Sequence, residues 1–224
     1  MSARQVARIT PEAYLAAERG AEFRSEYVDG EISTMSGGSR TRSSLISRVA
    51  HELEGALEDG PCTVTVTELR LQVASGRAYL YPDLMVSCRE NPDDPNDMIT
   101  NPAVVVEVLS PSTERWNRVG KFALYREVET VREYVLVAED EMRVEWYSRR
   151  ADGEWVYREA NGPEGVCRLE MLGVTLSLER IYRVLTGNVR AVNCWGAKDC
   201  TAIPCCAARR VDQRSRKSPR ETPA

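Results

Sequence analysis

Two apolar runs constrain this chain more than any other feature: YPDLMV at residues 81–86 and VVVEVLSPST at 104–113. Each reads as a buried β-strand, yet each carries one carboxylate, Asp83 and Glu107. Pro82 cannot donate to a sheet ladder, so it marks an edge, a strand start or a bulge, and Asp83 stands where backbone regularity is interrupted. Glu107 lies between Val104, Val105 and Val106 on one side and Val108 and Leu109 on the other. Side chains alternate along a strand, so Glu107 shares a face with Val105 and Leu109. A carboxylate in such surroundings is costly unless a cation, a proton or several donors compensate it. Two acids near the ends of adjacent strands suit one hard cation such as Mg²⁺. The plainer alternative is that each acid pairs with a nearby Arg or Lys.

The rest of the chain supplies a frame for these strands. Thr10-Pro11-Glu12 is a helix start, with a hydroxyl N-cap, proline in the first turn and an acid beside it; the helix is expected to run to about Arg19. EYVDGEISTM, residues 26–35, places Asp29-Gly30 between two strand-like arms and predicts a hairpin. Leu45, Val49, Leu53 and Leu57 recur every four residues and predict an amphipathic helix over about 42–59. Strands are expected at about 63–73, 79–87 and 103–109, a helix over 118–128, and strands again at 132–138, 142–148, 154–160 and 165–170. A helix around 178–186 closes a single α/β (α+β) domain, residues 8–187, built on a mixed β-sheet flanked by helices. Residues 188–224 lose apolar periodicity and become rich in Arg, Ser and Ala, which reads as a disordered Cys/Arg-rich C-terminal tail.

Composition excludes several classes. Hydrophobic residues make up 42% and charged residues 29%, a globular balance. No apolar run approaches a membrane span, and no secretory leader is recognisable, so the expected compartment is the cytoplasm. Seven cysteines, four of them crowded into the tail, argue against a disulfide framework. The tail sequence CWGAKDCTAIPCC lacks paired CxxC units, so zinc is a weak reading. From Cys206 onward six basic residues face two acids, a net of +4, which leaves −8 on the body of a chain whose total is −4. An acidic body is unusual for a sequence-blind DNA binder, although a metal held by carboxylates cancels part of that repulsion.

The residues after Glu107 add a third component. SPSTERWNRVGK leaves the strand as a turn and presents Asn117, a favoured N-cap residue, before Arg118. With Asn117 as the cap, Lys121 falls in the first turn and reaches back toward the carboxylates. Asp, Glu and Lys together are the groups needed for metal-assisted phosphodiester cleavage. Taken alone, Lys121 would read as a residue on a solvated helix face.

The run EYVDGEISTMSGGS, then YPDLMV, then VVVEVLSPSTERWNRVGKFALYREVETVREYVLV resembles the Uma-two family, which belongs to the PD-(D/E)XK nuclease-like superfamily. The resemblance covers about residues 8–187. It implies a restriction-endonuclease-like core, Asp83 and Glu107 as ligands of Mg²⁺ (or Mn²⁺), and Lys121 as the catalytic lysine displaced from its ordinary place two residues after the Glu, where Leu109 stands. Glu26, Glu31 and Asn117 are implied as supporting residues. The implied partner is nucleic acid, DNA foremost, with a homodimer as one way of cutting both strands. Two departures stand out: Asn117 where the family usually has Asp, and Arg42 where it usually has His. His51, in the middle of an ordinary amphipathic pattern, reads as structural or surface rather than catalytic. The departures and the acidic body keep a second function open, a catalytically inactive relative that binds nucleic acid or a protein.

Overall fold

The computed structural model describes residues 8–35, 37–66, 69–89 and 91–183. In chain order the helices and strands are α1 (Pro11–Glu18), β1 (Ser25–Val28), β2 (Glu31–Thr34), α2 (Arg40–Leu57), β3 (Thr63–Val66), β4 (Arg70–Val73), β5 (Ala78–Leu80), β6 (Leu84–Ser87), β7 (Met98–Ile99) and β8 (Val104–Leu109). A π-helical turn, Trp116–Lys121, runs into α3 (Phe122–Tyr125); β9 (Glu133–Ala138), β10 (Arg143–Arg149), β11 (Trp155–Asn161), β12 (Val166–Leu169), β13 (Val174–Ser177) and α4 (Leu178–Tyr182) follow.

The local signals explain most of these boundaries. Thr10 caps α1 by accepting from Ala13 N at 3.3 Å. Asp29 and Gly30 both take positive φ, +50° and +93°, the backbone that a tight two-residue hairpin requires, and β1 pairs with β2 across them. Ser39 caps α2, which buries Leu45, Val49, Leu53 and Leu57 on one face and leaves His51 exposed.

Two expected strands are each divided between sheets. The 63–73 segment becomes β3 and β4, and the 79–87 segment becomes β5 and β6 with Tyr81-Pro82-Asp83 between them. One sheet has five strands in the order β2-β1-β5-β4-β7; the other has six, β11-β10-β9-β8-β6-β3. Proline at 82 is why the second break falls where it does: without an N–H it cannot continue the ladder, and the chain changes sheets. The smaller β12-β13 pair was only half expected, since the second strand carries no turn signal beyond Gly173 at φ +66°.

The six-stranded sheet is mixed, with β8 and β9 parallel and its other pairings antiparallel. Its two faces carry different cores. Val104, Val106 and Val108 pack with the apolar face of α2 and with α4, while Val105 and Leu109 pack with Met85, Leu124, Tyr125 and Tyr134. Glu107 points to the second face, as the alternation requires.

Three expectations are corrected. Asn117 is not an N-cap: it lies inside the π-helical turn, and its N–H bonds to Thr113 O. Ser110 and Thr113, bonded to each other through their hydroxyls at 2.8 Å, supply the helix-starting chemistry several residues earlier. The helix expected over 118–128 is therefore a π-helical turn plus one short α-turn, ending at Tyr125. Cys62 and Cys88 form a disulfide, because the β3–β6 register pairs Thr63 with Ser87 and leaves the two cysteines facing each other one step further out. Cys167 is a buried free thiol. The tail cysteines lie outside the described residues, as do the end of the closing helix and the expected disorder after 187. No described helix is long and apolar enough to cross a membrane.

Leu53 is fully buried at the centre of the α2 face. Leu53→Ala is expected to lower unfolding free energy by about 3 kcal/mol, read from a denaturant midpoint with unchanged m-value.

Candidate functional site

Asp83 and Glu107 meet because of register. β6 and β8 are antiparallel with Leu84 opposite Val106, so one further step puts Asp83 opposite Glu107. Val108 N donates to Asp83 Oδ2 at 2.8 Å and fixes that carboxylate at the end of the ladder. Both acids are buried, Glu107 completely.

Lys121 is the centre of the site. Its Nζ lies 2.7 Å from Glu26 Oε1 and 2.8 Å from Glu107 Oε1, with the whole side chain withdrawn from solvent. Tyr125, one turn further along, donates its hydroxyl to the same Glu107 oxygen at 2.7 Å. Glu26 comes from the β1 hairpin arm; its Oε1 also accepts from Tyr81 N at 3.2 Å and its Oε2 from Trp116 Nε1 at 3.3 Å. Four separate pieces of chain thus converge: β1, the β5–β6 crossing, β8, and the helical turn after it.

Arg42, in the first turn of α2, places one guanidinium nitrogen 2.9 Å from both oxygens of Asp83. Each acid also has a basic partner: Asp83 its arginine and Glu107 its lysine. Three carboxylates (Glu26, Asp83, Glu107) face two cations (Arg42, Lys121), so one negative charge is left uncompensated.

Burial, together with that imbalance, governs the ionisation of the group. Burial, chiefly, raises the Glu107 pKa; Lys121 opposes the rise, and Asp83 and Glu26 add to it. Burial works against the Lys121 ammonium, but Glu107 and Glu26 outweigh it and the lysine is held protonated well above its ordinary range. Tyr125 is raised by burial and by Glu107, so its hydroxyl stays a donor. For Arg42 burial is again the opposing cause, outweighed first by Asp83.

Part of the site opens on a cleft of about 520 Å³: Glu26, Arg42 and Lys121 line it together with Arg8, Glu31, Trp116 and Asn117, whereas Asp83 and Glu107 do not. Glu31 is exposed and lines the same cleft, and among the described residues it forms no hydrogen bond or ion pair with Glu26, Asp83 or Glu107. Asn117 is buried, and its Nδ2 has no hydrogen-bond partner among the described residues. Tyr125 could have been found from its i+4 spacing to Lys121. Arg42 was visible only as a departure, since nothing in the sequence says it reaches Asp83.

Comparison with known proteins places the chain in a family. Residues 11–179 match the Uma2 family, described as "Putative restriction endonuclease". The chain belongs to the Uma2 family. It is 33% identical over 178 residues to an uncharacterized protein of Synechocystis sp. PCC 6803, covering 80% of this chain and 93% of that one. A second uncharacterized Synechocystis protein is 32% identical over 156 residues, 69% of this chain and 88% of the other. A crystal structure from Anabaena variabilis, described as a "putative nuclease belonging to DUF820", superposes with a TM-score of 0.65 at 20% identity, covering 79% of this chain and 99% of that one. The Uma2 core is thus a nuclease-like α+β fold with mixed sheets flanked by helices.

Replacing Lys121 by Ala leaves three buried carboxylates against one cation, and the expected loss is about 3–5 kcal/mol. Its pH dependence has a definite sign. A carboxylate whose folded pKa is raised contributes stability below its unfolded pKa and loses it as pH rises through the folded one. Removing Lys121 raises Glu107 further, so the melting temperature of Lys121→Ala relative to wild type should fall more at pH 8 than at pH 5. Equal deficits at both pH values would contradict the coupling.

Proposed function

We propose that this Uma2 protein is a divalent-metal-dependent endonuclease that hydrolyses phosphodiester bonds in DNA. The observation that carries the reading is the Lys121 ammonium held between Glu26 and Glu107 on the wall of an open cleft.

No group of three or more His, Cys, Asp or Glu side chains among the described residues is arranged as a cation cage. Asp83 and Glu107 are the two candidate ligands, and Glu107 Oε2 is buried without a hydrogen-bond partner among the described residues. That suits Mg²⁺ or Mn²⁺, which accept one or two protein carboxylates and complete their shell with water and phosphate oxygens. When bound there, the metal supplies a lowered water pKa and charge neutralisation at the phosphate.

The protein's own residues do the positioning. Val108 N holds Asp83, Tyr125 holds Glu107, and Glu26 helps to hold the Lys121 ammonium against Glu107. Hydrolysis joins the oxygen of water to phosphorus while the sugar oxygen leaves and takes up a proton. In this reading Lys121 orients the water or offsets charge on the phosphate, and its strong coupling to two carboxylates makes it a fixed cation rather than a proton donor. On a duplex, a pair of copies related by twofold symmetry would present two such sites.

A second reading rests on Arg42. Its guanidinium engages both Asp83 oxygens, the arrangement expected if an arginine had taken over the role of the cation in a non-cutting, nucleic-acid-binding relative. The readings separate experimentally. For the nuclease, Asp83→Asn and Glu107→Gln should each lower Mg²⁺-stimulated cleavage of plasmid and oligonucleotide DNA by at least about a hundredfold without loss of fold by circular dichroism. Calorimetric titration with Mn²⁺ should show binding that Glu107→Gln weakens and Arg42→Ala strengthens. Wild-type protein that takes up no Mn²⁺, with cleavage no different from the variants, would support the non-cutting relative.

A further inference from the structure

We infer that Trp116 is a stacking platform for an unpaired nucleobase, so that the cleft takes DNA as a single strand or at a locally opened segment. The inference rests on the nucleic-acid reading of the cleft and specifies the form of substrate.

Trp116 is exposed to 40% of its surface, although it lies one turn before a fully buried lysine. Its other side is built in. A Cβ at Gly120 would stand 1.9 Å from Trp116 Cε3 and Cζ3 and 2.8 Å from Cη2, so the benzene half of the indole rests directly on that glycine. The pyrrole edge is tied down by the bond from Nε1 to Glu26 Oε2. One part of the ring is packed on backbone, one edge is hydrogen-bonded, and the remainder lines the same cleft as Lys121. The π-helical turn makes this possible by widening the helix between Trp116 and Gly120, a distortion that recurs at functional sites.

Charge gives a second, independent reason for a neutral contact. The cations on the cleft wall, Arg8, Arg42 and Lys121, are matched by Glu26, Asp29 and Glu31. Arg42 and Lys121 are moreover already engaged with carboxylates. A strand of phosphates gains little net attraction from such a wall. Base–aromatic stacking is sequence-tolerant and needs no net charge, but it requires a base lifted out of a duplex. A flat, fixed indole beside the proposed phosphate site provides that contact.

The test uses the full chain, without added metal and with chelator present, so that binding is separated from cleavage. Fluorescence anisotropy compares a single-stranded DNA of roughly 12 nucleotides with an abasic strand of equal length and charge. Wild-type protein is expected to bind the base-bearing strand about tenfold more tightly than the abasic one. Trp116→Ala should bind both alike, Trp116→Phe should keep most of the preference, and Gly120→Ala, which displaces the ring, should lose it. No preference in wild type, no binding of either strand, or equal loss in Trp116→Phe and Trp116→Ala would overturn the proposal. A preserved preference without any Mg²⁺-stimulated cleavage would overturn the nuclease reading and leave the stacking site standing. Cleavage without a preference would do the reverse.

Discussion

The interaction on which the rest of this structure depends is the buried pairing of Lys121 with Glu107 and Glu26. A fully desolvated ammonium is tolerated only with its charge met at short range, and both partners lie within hydrogen-bonding distance. Glu107 in turn could not lie in the middle of an apolar strand without Lys121 and Tyr125. Remove Lys121 and both carboxylates lose their cation; remove Glu107 and the Tyr125 hydroxyl loses its acceptor. The cluster therefore ties the β1 hairpin, β8 and the following helical turn into one electrostatic unit, which purely apolar packing would not single out.

The backbone around the cluster is irregular in ways that serve it. The chain passes from one sheet to the other at Tyr81-Pro82-Asp83, which leaves Asp83 at the end of β6 rather than within a ladder. Its carboxylate accepts from Val108 N instead. On the other side the π-helical turn carries Trp116, Asn117 and Lys121 toward one cleft while Tyr125 continues the helix beneath them. Each irregularity coincides with a residue that a regular element would have aimed elsewhere, as is common where a fold carries a functional site.

Much of the frame was legible in the sequence. Thr10 as a cap, Asp29-Gly30 as a hairpin turn, the Leu45–Leu57 spacing and the strands of 132–160 are local signals, and local chemistry decides them. The acids themselves were legible as misfits, because a single carboxylate in VVVEVL breaks the pattern of a doubly buried strand. The position of Lys121 was also anticipated, but for an incorrect reason. Asn117 is inside the turn rather than at its cap, and it is the earlier Ser110–Thr113 start, with the widened π geometry, that returns the lysine to the carboxylates. Arg42 beside Asp83 and the Cys62–Cys88 disulfide were not foreseen, since each joins segments whose proximity follows from strand register and helix docking.

By itself the sequence determined which residues were anomalous: two carboxylates among valines, a proline beside one of them, and a Ser/Thr-rich turn leading to a lysine. Those are statements about local burial and hydrogen-bonding capacity, and they need no partner to be read. Only the tertiary structure decided that Glu26 rather than Glu31 joins the cluster, that Arg42 holds Asp83, and that Trp116 is exposed over the same cleft. Such choices depend on which faces of distant segments are brought together, and a one-residue change of register would have reversed each carboxylate's face.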